Sequence, residues 1–166
     1  MTTDQSGITG EVVAELRGPD GELKGYCKTK NLITAVGDQY YAGRAALSSG
    51  QPAQVTGFKL GTSATAPAKT GAGAALVAYL SGSNKANDSG FPTAVGGVVT
   101  WKRTYAAGEA TTGSAIQEAV LVTDTIATDA TSSAANTIAR VLLTGIPSKG
   151  AGDTLTITWT HTLLGA

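Results

Sequence analysis

The sequence predicts an all-β fold, an antiparallel β-sandwich or jelly roll of about eight strands with one short helix. Three observations carry that expectation. From Thr154 to Leu163 the chain reads T-L-T-I-T-W-T-H-T-L, a strict alternation, and period two with β-branched and aromatic residues has no helical counterpart. Gly18-Pro19-Asp20-Gly21 separates two apolar runs; Pro presets φ and Asp-Gly tolerates positive φ, so a hairpin turn is expected there. Elsewhere, short apolar runs alternate with Gly/Ser/Thr/Pro stretches, which is the rhythm of a two-sheet β-protein.

Taken in order, Gly10 to Arg17 and Leu23 to Ile33 are the two strands of an N-terminal hairpin spanning about residues 10–33. The character then changes. Val36, Tyr40, Gly43 and Leu47 recur at helical spacing, Thr34 can cap the start and Gly50 can close the end, so a short helix is expected over about 34–48. The remaining strands are expected between 54 and 164, at Gln54 to Gly61, Ala75 to Leu80, Val98 to Tyr105, Ala115 to Thr123, Thr137 to Thr144 and the final alternating segment. In that last strand Leu155, Ile157, Trp159, His161 and Leu163 share one face, and Thr154, Thr156, Thr158, Thr160 and Thr162 share the other. Thr62 to Ala74 and Ser81 to Thr93 show no apolar period and are expected to be long loops, suited to reaching a neighbour. With 166 residues, the whole chain (1–166) is expected to form a single β-sandwich domain.

Charged residues make up 14% of the chain and glycines number 22, against roughly 25% charged in an average soluble protein. A surface of Thr, Ser, Gly and Ala is inexpensive to desolvate and suits a protein whose faces are covered by neighbours; drift toward small residues accounts for the composition equally well. The 12 basic and 12 acidic side chains cancel, so there is no basic field for nucleic acid, and Lys24, Lys28 and Lys30 are expected on a solvated strand face. Met1 to Gln5 lacks the charged-then-apolar pattern of a secretion signal, and no run approaches a membrane span. The expectation is a protein made in a cytoplasm, with neither membrane nor nucleic acid as partner.

A search for catalytic or cofactor chemistry finds little. Cys27 is the single cysteine, which excludes an internal disulfide and a cysteine-based metal cluster. His161 is the single histidine and lies on the apolar face of the last strand near Trp159, where a satisfied core or interface histidine is expected in place of a general base. Gly71-Ala72-Gly73-Ala74-Ala75-Leu76 lacks the third glycine of a dinucleotide fingerprint, and Ala68-Lys69-Thr70 lacks the glycine of a phosphate loop. No cofactor, metal site or enzymatic activity is expected. Glu118, Arg103 and Arg140 each fall mid-strand; charges there are costly unless paired, so structural ion pairs or a subunit contact are expected.

Four segments in order resemble a pattern that recurs in the virion proteins of tailed bacteriophages. They are Asn31-Leu32-Ile33-Thr34 leading into the helix; Gly57 to Pro67, G-F-K-L-G-T-S-A-T-A-P; Val99 to Ala110 followed by Ile116 to Leu121; and Asp153 to Thr160, D-T-L-T-I-T-W-T. After Glu118 and Ala119 stands Val120, where the pattern more often has glycine. The resemblance implies a virion structural protein without catalysis, assembled in the host cytoplasm. Within that group the chain looks most like capsid decoration (cement) proteins, whose partners are major capsid protein subunits and further copies of themselves. The threonine face is then the expected subunit contact. The alternative is a tail-fibre or baseplate module that binds a host receptor or saccharide, with Phe91, Tyr79 and Tyr105 as its exposed aromatics.

Overall fold

The computed structural model describes residues 7–163. The opening segment inspected for a secretion signal, and the last position of the predicted final strand region, lie outside them. Ten strands and one α-helix follow in order: β1 (Ile8–Arg17), β2 (Leu23–Lys30), β3 (Leu32–Ile33), α1 (Ala35–Ala46), β4 (Gly57–Gly61), β5 (Lys85–Ala86), β6 (Thr93–Val95), β7 (Val98–Tyr105), β8 (Glu118–Val122), β9 (Thr137–Leu142) and β10 (Thr154–Leu163). They form two five-stranded antiparallel sheets, β2-β1-β10-β7-β6 and β3-β9-β8-β4-β5. One core joins them, with Val12, Leu16, Trp101, Ile157 and Trp159 from the first sheet meeting Phe58, Leu60, Leu121 and Val141 from the second. This is the all-β sandwich that the sequence predicts.

The hairpin turns where expected, with Gly21 at φ +82° and the Gly21 amide bonded to the Gly18 carbonyl. The predicted second strand, however, divides between the two sheets. It pairs with β1 up to Lys30, breaks at Asn31, and resumes as β3 against β9. Strand-like patterning cannot reveal such a crossing, because both halves carry it.

Two predicted elements differ. Ala75 to Leu80 is not a strand; it lies against the outer side of the second sheet and shares one bridge, Tyr79 with Gly61. The amides of Val77 and Ala78 are bonded to the Glu118 carboxylate, so a side chain takes the donors that a ladder would use. Conversely, β5 interrupts the Ser81 to Thr93 stretch expected to be a loop, and β6 starts at its last residue. At two and three residues they are too short for periodicity to register.

Helix α1 begins as predicted, with the Thr34 hydroxyl accepting from the Gly37 amide at 3.0 Å. It ends at Ala46, before Gly50, on a bond from the Leu47 amide to the Gly43 carbonyl. Gly37 seats the helix on β9, because a Cβ there would stand 2.1 Å from the Ile138 carbonyl oxygen. Alanine in an open helix gains about 1 kcal/mol over glycine, but this contact is with backbone and cannot turn aside. Gly37→Ala is therefore expected to lower stability by about 1–3 kcal/mol. A thermal melt with an unchanged or raised midpoint would show that the helix is not seated this way.

The two sheets are covered differently. In β10 buried and half-buried residues alternate, so only one face of the strand is packed. In β4 and β8 every residue is buried, so both faces are covered. The outer cover of the second sheet comes from the chain itself: Leu76 and Tyr79 pack on Val120 and Val122. No such cover lies over the outer face of the first sheet among the described residues.

Candidate functional site

Of the three mid-strand charges, Glu118 and Arg140 meet. Glu118 begins β8, Arg140 lies across from Val120 on β9, and both project from the outer face of the second sheet. Arg140 Nη2 stands 2.6 Å and Nε 3.2 Å from Glu118 Oε2, with both side chains fully buried. The remaining guanidinium donors go to the carbonyls of Thr65, Ala66 and Gly73. Glu118 accepts from the amides of Val77 and Ala78 and, at 3.4 Å, from that of Ser63. The pair therefore fastens the 62–80 segment over the sheet and leaves no polar valence open to a ligand. Arg103 joins neither. It bonds Glu109 at 2.6 Å and lies 3.7 Å from Asp88.

Two further cations repeat the device. Lys59 is 2% exposed and donates to Asp124 Oδ2 at 2.6 Å and to the Ala130 carbonyl at 2.8 Å, holding the 123–136 segment. Buried Lys149 donates to the carbonyls of Ala106 and Asp153. Burial holds its ammonium below the usual lysine value. Neither lysine stands out in the sequence, since a lysine in or beside a strand normally reads as surface.

His161 lies between sheet and helix and is fully buried. The Trp159 indole N–H, which can only donate, points at its Nε2 from 3.1 Å, and Asn31 Nδ2 lies 3.2 Å from the same atom. The neutral ring thus accepts at Nε2 and carries its proton on Nδ1, which donates to the Tyr41 oxygen 2.5 Å away. Desolvation by burial pushes its pKa down to about 4. Gly10, opposite His161 in register, makes the arrangement possible, because a Cβ there would fall 1.7 Å from Asn31 Oδ1. His161 is thus a structural link between β10, α1 and the β2–β3 crossing.

Beside it runs a groove of about 400 Å³ between α1 and the β6–β7 hairpin, with Tyr40, Tyr41, Arg44, Gln54, Thr93 and Trp101 among its lining. Tyr40 and Tyr41 stand edge to face at 5.3 Å, and the Arg44 guanidinium lies 5.8 Å from the centre of the Tyr40 ring. The aromatics expected to be exposed are placed elsewhere. Tyr105 is fully buried and bonds the Ser83 carbonyl, Tyr79 bonds Asp129, and half-buried Phe91 lies beneath the Lys102 ammonium. Burial overturns Tyr105 as a surface aromatic: it faces the core across from Leu155.

The remaining surface is the outer face of the first sheet. Thr154, Thr156, Thr158, Thr160 and Thr162 are half-buried along β10. Their lateral neighbours are Thr9, Glu11, Val13, Glu15 and Arg17 on β1 and Val98, Thr100, Lys102 and Thr104 on β7, with Lys28 and Lys30 beyond them on β2. Leu23 and Tyr26 on β2 and Val95 on β6 add exposed apolar area at the two edges. Among the described residues no group of three or more His, Cys, Asp or Glu is placed to hold a metal, and no helix is long and apolar enough to cross a membrane. Comparison with family models, curated proteins and solved structures finds no match to the chain.

Proposed function

We propose that this chain is a structural component of a bacteriophage particle, a decoration protein that binds across major capsid protein subunits, and beside further copies of itself, through the outer face of its first sheet. The observation that carries the reading is the contrast between the two sheets. The second is roofed by its own loops, which buried charges fasten in place; the first presents an open face whose central strand is an uncharged threonine row, flanked by Glu11, Glu15 and Arg17 on β1 and Lys102 on β7. Its four long strands have eight to ten residues each. At about 4.8 Å between strands and 3.4 Å per residue they span roughly 600 Å², close to the ~800 Å² per partner of a standard interface. The four-segment resemblance to phage virion proteins supplies the partner. On this reading the protein works by burying area at joints between subunits, and catalysis has no part in it.

A point substitution on this face separates folding from binding. Thr158 lies beside Lys102, so Thr158→Glu gains a cross-strand partner and is expected to change stability by less than about 0.5 kcal/mol. It also places a desolvated charge at the centre of the interface. Co-sedimentation with capsids lacking the protein is expected to fall sharply, and those capsids should release DNA at a lower temperature than complete ones. Binding that survives the substitution sinks the assignment of the face.

The aromatic groove favours a second reading, a tail-fibre or baseplate module that recognises a saccharide. Copy number in purified particles discriminates between them. A decoration protein is present on the scale of the capsid subunits, and a tail module in a few copies.

A further inference from the structure

We infer that the groove between α1 and the β6–β7 hairpin is a binding site for a small acidic saccharide, which lays its ring against Tyr41 and its carboxylate on Arg44. The inference is independent of the sheet face proposed above, and either can fail without the other.

Three features converge. First, the size fits: about 400 Å³, within the usual range for small-molecule sites, where apolar walls carry a few directing polar groups; half-buried Tyr41 is the aromatic that opens on the groove, backed by buried Tyr40 and Trp101. Second, the polar groups there are donors. The Tyr41 oxygen receives the His161 Nδ1 proton, so its own O–H is available to a ligand. Gln54 Oε1 is engaged by the Tyr40 hydroxyl, which leaves the Gln54 NH2 as the free end of that amide. Arg44 is half-buried and spends Nη1 on Gln51 at 3.3 Å.

Third, the charge is one-sided. Arg44 is the one charged residue among the lining side chains, and no carboxylate faces it across the groove. A set of donors around an uncompensated guanidinium selects a ligand rich in acceptors and bearing an anion. An alkyl chain would leave those donors unpaired, and a cationic ligand would meet Arg44 unfavourably. A sugar acid supplies what they lack: ring hydroxyl oxygens for Tyr41 and Gln54, a carboxylate for Arg44, and a C–H face for the Tyr41 ring.

The protein distributes these parts to suit. Tyr40, Tyr41 and Arg44 fall at helical spacing on α1 and so share one side of it. Trp101 is held from below by the His161 ring, 5.1 Å away and edge to face. The site is therefore largely formed before any ligand arrives, which limits the ordering that binding must impose.

The test is an NMR titration of the isotope-labelled full chain with glucuronic acid and N-acetylneuraminic acid, set against glucose and galactose. Acidic sugars are expected to shift the Trp101 indole and the amides of α1 with dissociation constants on the order of 1 mM, at least about tenfold tighter than the neutral sugars. Arg44→Gln should erase that preference. Ala45→Glu, on an exposed helix position lining the groove, should abolish acidic-sugar binding while the melting temperature stays near that of the parent. Equal affinity for neutral and acidic sugars, shifts that map outside the groove, or binding unaffected by either substitution would overturn the proposal, and so would the absence of any shift.

Discussion

Replacing Glu118 with leucine is expected to lower the unfolding free energy by about 3–5 kcal/mol, the range for removing one member of a buried ion pair. The substitution strands the Arg140 guanidinium in a site where it is fully buried, and it orphans the amides of Val77 and Ala78. The informative variant is the double replacement, Glu118→Leu with Arg140→Met. Exchange of both ions of a buried pair for apolar residues is often neutral or stabilising. Here it is not, because the pair also satisfies backbone groups. Two close amides lose Glu118, and the carbonyls of Thr65 and Ala66 lose Arg140, while that of Gly73 keeps its bond from the Ala68 amide. Each buried backbone group left unpaired costs about 1–3 kcal/mol unless water reaches it. The double variant is therefore expected to remain several kcal/mol below the parent in urea unfolding, with new proteolytic cleavage in 62–80. Recovery to parental stability would mean that the loop is held by packing alone.

The second large effect is on acid stability. His161 is the single histidine, and burial lowers its pKa from 6.5 to about 4. The unfolded chain binds the proton first, so stability is complete above about pH 6.5 and is lost as pH falls toward 4. By linkage the loss reaches about 2 kcal/mol at pH 5 and about 3 kcal/mol once both states are protonated. Carboxylates held low lose their contributions only further down. Asp129 is lowered to about 2 first by the Ser81 hydroxyl, and Asp153 is lowered first by its bond from Lys24. The window between pH 6.5 and 5 therefore belongs to the histidine. Denaturation midpoints measured at half-unit pH steps should decline across that window in the parent. They should stay flat in His161→Gln, which starts lower because Tyr41 and Trp159 lose their partner. A flat parental profile would place His161 in contact with water.

How much of this was legible in the sequence depends on the range of the interaction. The hairpin turn, the Thr34 cap and the final strand are set by neighbours within a few residues, and each was visible from turn chemistry, capping or period. The pairing of Glu118 with Arg140 was half visible. Both looked costly in mid-strand, but which cation takes the carboxylate depends on register, and Arg103 was equally eligible until β7 and β8 were placed in different sheets. Lys59 and Lys149 were missed because their burial comes from loops folding back over them. The aromatic groove was missed because Tyr41 and Trp101 lie far apart in the chain and meet only when α1 docks near the β6–β7 hairpin.

By itself, then, the sequence determined the all-β class, the outward threonine row of β10, and the inward placement of Trp159 and His161. Those follow from alternation along one strand, a local property that side-chain chemistry writes directly. Only the tertiary structure decided that the 23–33 run serves both sheets, that Ala75 to Leu80 gives its amides to Glu118 in place of a ladder, and that one sheet is roofed while the other is open. Each of those depends on which groups come together across long stretches of chain. The free energy that selects them lies in desolvation and hydrogen-bond pairing between distant residues, which no single segment encodes.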